Sequence, residues 1–117
     1  MQYLCLIYEV ESEMLARSED EQSRIMADYW AFTSDIKENG QFVAGEALMP
    51  TETATTVRIR DGKRVATDGP FAETKEQLGG FYLLECKDLD EAIELASRIP
   101  SSKYGSIEVR PVMVFDQ

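Results

Sequence analysis

Tyr3-Leu4-Cys5-Leu6-Ile7-Tyr8 is a continuous apolar run of strand length, and it decides the fold because neither of its alternating faces is polar. A strand with one solvated face alternates apolar and polar residues, whereas this one asks for burial on both sides. Phe81-Tyr82-Leu83-Leu84-Glu85-Cys86 carries the same signature far along the chain. A sheet built from both segments therefore needs a layer on each face. The acidic segment from Glu9 to Glu13 ends the first run and is expected to leave the sheet.

Two helices flank these strands. Ser18 and Glu21 have capping-box spacing, and Ile25, Tyr29, Phe32 and Ile36 then recur at helical intervals beside Met26 and Trp30, until Asn39-Gly40 supplies a stop. Asp88 with Glu91 opens a second helix whose Leu89, Ala92, Ile93, Ala96 and Ile99 form one face, closed by Pro100. Phe42 to Leu48 reads as a strand, with a bulge or close backbone approach at Gly45 and Pro50 closing it. Thr55 to Arg60, the turn Asp61-Gly62 and Arg64 to Thr67 read as a hairpin. Ile107 to Phe115 is the last strand.

With the hairpin set aside as an insertion, the order is the split βαβ pattern of a ferredoxin-like α+β sheet, its two helices on one face. The chain of 117 residues makes one domain, residues 1–117, with no repeat, linker or low-complexity tract to divide it. Two helices cover only one face of such a sheet. The economical cover for the other is a second sheet, so a symmetric homodimer is expected, with a ligand cleft between sheet, helix and inserted loop.

Composition narrows the function classes. Twelve Lys and Arg against 22 Asp and Glu give a net charge of -10, which disfavours independent nucleic-acid binding. The one basic group, Arg58, Arg60, Lys63 and Arg64, falls in the hairpin, where solvated strand edges explain it better than a phosphate stripe. Cys5 and Cys86 lie in apolar strand patterns without redox or zinc spacing and read as buried thiols. No basic flank precedes the first apolar run, and no run approaches membrane-spanning length, so no membrane association and a cytoplasmic location are expected. Phosphate cradle, Ser-His-Asp set, metal-ligand spacing and dinucleotide fingerprint are all lacking, and no cofactor or metal is implied.

The strongest hint of a site is Asp68-Gly69-Pro70-Phe71, which continues through Ala72-Glu73-Thr74-Lys75-Glu76-Gln77-Leu78 into Gly79-Gly80. An acid, a flexible residue, a rigid residue and an aromatic in succession are more than a plain connection needs. Together with Thr67 and with Phe81-Tyr82, this stretch resembles the signature of the DGPF branch of the YCII-related family. Leu6-Ile7-Tyr8, Ala44-Gly45-Glu46 and Glu108-Val109-Arg110-Pro111 fit it as well. The resemblance covers nearly the whole chain and implies a dimeric α+β barrel, in agreement with the strand apolarity. It also implies an enzymatic dyad of a first-helix histidine with an aspartate, and, through domains of this type fused to sigma factors, a link to transcription initiation. This chain has no histidine. Asp28 or Tyr29 falls near the histidine position, so the dyad does not carry over and proton chemistry must use other groups.

Asp68 and Tyr29 are the candidate catalytic residues. Asp68, at a strand end before Gly-Pro, suits a general base held by local NH groups; equally, Asp before Gly is a turn former that bonds its own backbone. Tyr29 and Trp30 belong to an aromatic stripe expected to be core, though Tyr29 can offer a hydroxyl to the cleft. Glu46 and Arg110 are charges flanked by core residues, which points either to ion pairing or, for Arg110, to a clamp on a substrate carboxylate. With Phe71 and Lys75 on the loop they complete the candidate substrate-binding set, against the plain reading of Lys75 and Glu73 as solvated charges. Two function classes follow: an acid-base enzyme for elimination, isomerisation or hydration of a small organic molecule, or a non-catalytic dimer that binds a small ligand or a protein partner such as a sigma factor.

Overall fold

A computed structural model of the chain describes residues 1–116. The elements in chain order are β1 (Gln2–Glu9), α1 (Glu11–Leu15), α2 (Glu19–Glu38), β2 (Phe42–Ala47), β3 (Thr55–Arg60), β4 (Lys63–Asp68), β5 (Gln77–Glu85), α3 (Leu89–Arg98) and β6 (Ser106–Pro111). Four strands form one antiparallel sheet in the order β2-β5-β1-β6. Its two strands with apolar residues on both faces, β1 and β5, are central. With α2 linking β1 to β2 and α3 linking β5 to β6, this is the ferredoxin-like α+β arrangement.

Both long helices start where their caps place them. The Ser18 Oγ accepts the Glu21 N–H at 3.2 Å, and the Asp88 Oδ1 accepts the Glu91 N–H at 2.9 Å. Phe32 and Ile36 of α2, and Ala92, Leu95 and Ala96 of α3, pack with Tyr3, Cys5, Ile7, Tyr82 and Leu84 into one core on one face of the sheet. Tyr29 packs against that core, but Trp30 is 68% exposed, because one residue is a rotation of about 100° round the helix. The aromatic stripe is thus half core. In α3 the expected Leu89 and Ile93 are exposed at the margin of the buried stripe.

Strand ends differ from the sequence reading for reasons of pairing. The last strand stops at Pro111, opposite Tyr3, because β1 offers nothing further to pair with than the Gln2 carbonyl, which takes the Val112 N–H at 2.9 Å. The glycine pair lies inside β5, with Gly79 left over at a bulge between the pairs Ile7–Gly80 and Tyr8–Leu78. In β2 the irregularity falls at Val43, while a Cβ at Gly45 would lie 2.8 Å from the Tyr82 ring, so close approach is what Gly45 provides. The segment after β1 becomes the short helix α1.

The opposite sheet face carries Leu4, Leu6, Tyr8, Phe81 and Leu83, all half-buried and none in the core. The β3–β4 hairpin turns through Asp61 (φ 53°) and Gly62 (φ 72°) and forms a separate two-stranded sheet. The described chain is a slab of 48 × 48 × 19 Å with a radius of gyration of 16.3 Å, against about 13 Å for a compact domain of this length. Among the described residues, no helix is long and apolar enough to cross a membrane.

Candidate functional site

The alternation of β1 puts Tyr3, Cys5, Ile7 and then Glu9 on the covered face, so a carboxylate follows three core residues into the interior. Glu9 is 4% exposed. A buried carboxylate persists only if it is paired and hydrogen-bonded, and both conditions are met. Arg17, in the turn between α1 and α2, places Nη2 2.5 Å from Glu9 Oε1, and the Ser101 Oγ donates to Glu9 Oε2 at 2.6 Å. Ser101 is itself buried, in the single helical turn Pro100–Lys103 that follows α3, and its Oγ also bonds the Tyr29 hydroxyl of α2. Four side chains from four segments thus meet at the C-terminal end of β1. Gly105 allows the approach, since a Cβ there would overlap the Tyr8 carbonyl oxygen and lie 2.9 Å from Glu9 Cγ.

The surroundings of this group are aromatic. The Arg17 guanidinium lies over the Tyr104 ring at 4.5 Å, where the π face adds to its stabilisation. The Tyr29 ring stacks on Tyr82 at 6.4 Å and 17°, and the Tyr82 hydroxyl bonds Thr33 Oγ1 at 2.7 Å. Burial pushes the Tyr29 phenol above its ordinary pKa; the hydrogen bonds with Ser101 work against that, and the Glu9 carboxylate and, once ionised, the Tyr82 phenol add to it. An open cleft of about 250 Å³, lined by Glu21, Arg24, Ile25, Asp28 and Tyr104, shares Tyr104 with the surroundings of this group and is otherwise lined by the part of α2 before Tyr29.

The loop has a different character. Asp68 ends β4 opposite Thr55, is exposed, and its carboxylate makes no hydrogen bond among the described residues. The turn is held instead by Gly69, at φ 100°, whose N–H reaches the Ala54 carbonyl at 2.7 Å and whose carbonyl accepts from Thr56 Oγ1 at 2.8 Å. Asp68 therefore does not act here as a turn former bonded to its own backbone. Phe71 is 80% exposed and Lys75 is exposed. A second open cleft, about 270 Å³, is lined by Thr51, Glu52, Pro70, Ala72, Glu73, Thr74 and Gln77, so the loop walls it without Asp68, Phe71 or Lys75. Gln77 connects the two regions: it is the cross-strand neighbour of Glu9, and its Oε1 accepts the Glu11 N–H at 2.9 Å. The Glu11 carboxylate in turn accepts from the Thr51 N–H and Oγ1, each at 2.8 Å.

Glu46 and Arg110 stand on the outer strands, β2 and β6, at opposite edges of the uncovered face. Arg110 pairs with Glu108 at 3.1 Å in an exposed contact, and Glu46 is exposed. Within one chain the structure brings neither of them to Asp68. Of the six candidate residues only Tyr29 belongs to the buried polar group, whose other members, Glu9, Ser101 and Arg17, the sequence reading missed. The available signal was the fourth odd position of β1 being a carboxylate; the partner Ser101, 92 residues away, leaves no local trace. Among the described residues no three His, Cys, Asp or Glu side chains are grouped to hold a metal ion.

Comparison with known proteins agrees with this architecture. Residues 1–116 match the YCII-related domain family. An uncharacterised protein of Rhizobium meliloti (strain 1021) is 42% identical over 117 residues, covering 98% of this chain and 94% of its own length. Among solved structures, the 5-chloro-2-hydroxyhydroquinone dehydrochlorinase of Burkholderia phenoliruptrix AC1100, in complex with 2,5-dihydroxybenzoquinone, superposes with a TM-score of 0.52 at 18% identity, covering 97% of this chain and 94% of that one. At that identity the likeness concerns the fold.

Proposed function

The chain belongs to the YCII-related family, and from that premise we propose that it is a cofactor-independent acid-base enzyme, acting on a small organic molecule at the sheet end where Glu9, Ser101 and Tyr29 meet. The observation that carries this reading is a buried carboxylate joined through one serine to a phenol. A purely structural ion pair between Glu9 and Arg17 accounts for the Ser101 hydroxyl, which satisfies the second carboxylate oxygen, but needs no phenol behind it, whereas elimination, isomerisation and hydration all need a group that takes a proton and holds it away from water. A protein of the same fold is named a dehydrochlorinase, which is in keeping with an elimination on such a scaffold. The loop that carries Asp68, Phe71 and Lys75 is tied to the same sheet end through Gln77, but it walls a separate cleft. Titrating small hydroxylated aromatics into labelled protein tests this: amide shifts should centre on Tyr29, Ser101 and Glu9. Shifts confined to the loop, or none across the panel, would move the site elsewhere.

A homodimer accompanies this reading. The uncovered face with Leu4, Leu6, Phe81 and Leu83, the detached hairpin and the excess radius of gyration all suit a second copy stacked sheet on sheet. A two-fold axis parallel to the strands would lay the β6 edge of one subunit over the β2 edge of the other, with Arg110 level with Ala44 of the partner subunit and two residues along the strand from the level of Glu46 of the partner subunit. Light scattering should give twice the 13.2 kDa chain mass; a stable monomer at micromolar concentration would overturn it.

A further inference from the structure

The hydrogen bonds of the buried group have a direction, and the direction limits the chemistry. Glu9 is paired with Arg17 and accepts from Ser101, which has a single hydroxyl hydrogen and has spent it on that bond. The contact between Ser101 and Tyr29 must then use the phenolic hydrogen, so Tyr29 donates to Ser101. What acceptor capacity remains on the Tyr29 oxygen can only accept. We propose, resting on the functional reading above, that Tyr29 is the entry of a proton relay ending on Glu9, and that the ligand is a small molecule that gives up a proton to it: a phenol or an enol.

The step balances. The ligand O–H bond breaks and its electron pair stays on the ligand oxygen as phenolate or enolate. The proton bonds to the Tyr29 oxygen while the Tyr29 hydrogen passes to Ser101 and the Ser101 hydrogen to Glu9 Oε2, leaving Glu9 neutral and both hydroxyls intact. The Arg17 guanidinium also lies over the Tyr104 ring, a second contact besides Glu9. The raised phenol of Tyr29 fits this role, because a tyrosine that resists ionisation passes a proton on without itself remaining an anion. The ionisable groups facing it are Glu9 from β1 and Tyr82 from β5; Tyr29 is half-buried, and the cleft lined by Ile25, Asp28 and Tyr104 lies on the preceding turn of the same helix.

Two measurements test the relay. The first uses 4-nitrophenol, whose phenolate is coloured, below its solution pKa, with 4-nitroanisole as the control that cannot donate a proton. Wild type should bind the phenol and show phenolate absorbance, and Glu9→Gln and Ser101→Ala should lose at least tenfold of the absorbance per bound probe. Binding with the probe left protonated overturns the relay but leaves the site standing. No binding of 4-nitrophenol at millimolar concentration overturns both the ligand class and the site. The second needs no ligand: the ultraviolet titration difference between wild type and Tyr29→Phe isolates the Tyr29 phenol, and Glu9→Gln should move its midpoint to lower pH. An unchanged or higher midpoint would mean that Tyr29 does not sense Glu9, and the relay falls.

Discussion

The C-terminal end of β1 and the hairpin with its loop are both rich in polar residues, yet they are built in opposite ways. At the end of β1, Glu9, Arg17, Ser101 and Tyr29 satisfy one another in the interior, each reached from a different segment. In the hairpin and loop, Asp68, Phe71 and Lys75 face solvent, and the turn is held by backbone bonds and Thr56. The contrast teaches that conspicuous sequence and committed energy are different things. Removing a member of the first region strands a buried charge or hydroxyl; removing one from the second leaves water to take its place.

The harshest way to break this comparison is Glu9→Ala, which leaves the Arg17 guanidinium, only 13% exposed, without its counter-ion. A loss of about 4 kcal/mol in denaturant melts is expected. A loss below about 1 kcal/mol would place the two regions on an equal footing. Next comes Gly105→Ala, whose methyl group would overlap the Tyr8 backbone and force the turn away from β1. We expect a cost of about 3 kcal/mol and a weakened Ser101 contact.

Alkali provides a gentler test of the covered face. Burial, helped by Cys86, pushes the Cys5 thiol from 9.0 up to about 11. Because the folded value is raised, the unfolded chain releases its proton first as pH climbs. The stabilisation is therefore fully present below pH 9 and is lost as pH rises through about 11, roughly 2 to 3 kcal/mol in all. A Cys5→Ala variant should be less stable at neutral pH but show a flatter decline over that window; an equally steep decline would assign the effect elsewhere. The smallest effect is expected at Asp68→Ala, within about 0.5 kcal/mol of wild type, since no bond is lost. A cost near 1 kcal/mol would mean that its carboxylate holds the turn after all.

Much of the fold was legible because its signals are local. The capping pairs Ser18–Glu21 and Asp88–Glu91, the Asp61-Gly62 turn and the doubly apolar strands each declare themselves within a few residues. Trp30 and the end of the last strand were not legible, since one depends on the rotation of a helix against the sheet and the other on where β1 runs out of partners. The site was less legible still. The loop drew attention by its composition, whereas Glu9 looks in sequence like the first of an acidic run that leaves the sheet.

By itself the sequence determined the periodicities, hence the elements, their order and the need for cover on both faces of β1 and β5, because these follow from side-chain alternation and capping chemistry along the chain. Only the tertiary structure decided that Glu9 turns inward and that Ser101, 92 residues later, meets it together with Tyr29 and Arg17. A hydrogen-bonded group assembled from four segments is a property of how helices lie on a sheet, and that placement is set by packing across the whole core rather than by any one stretch of residues.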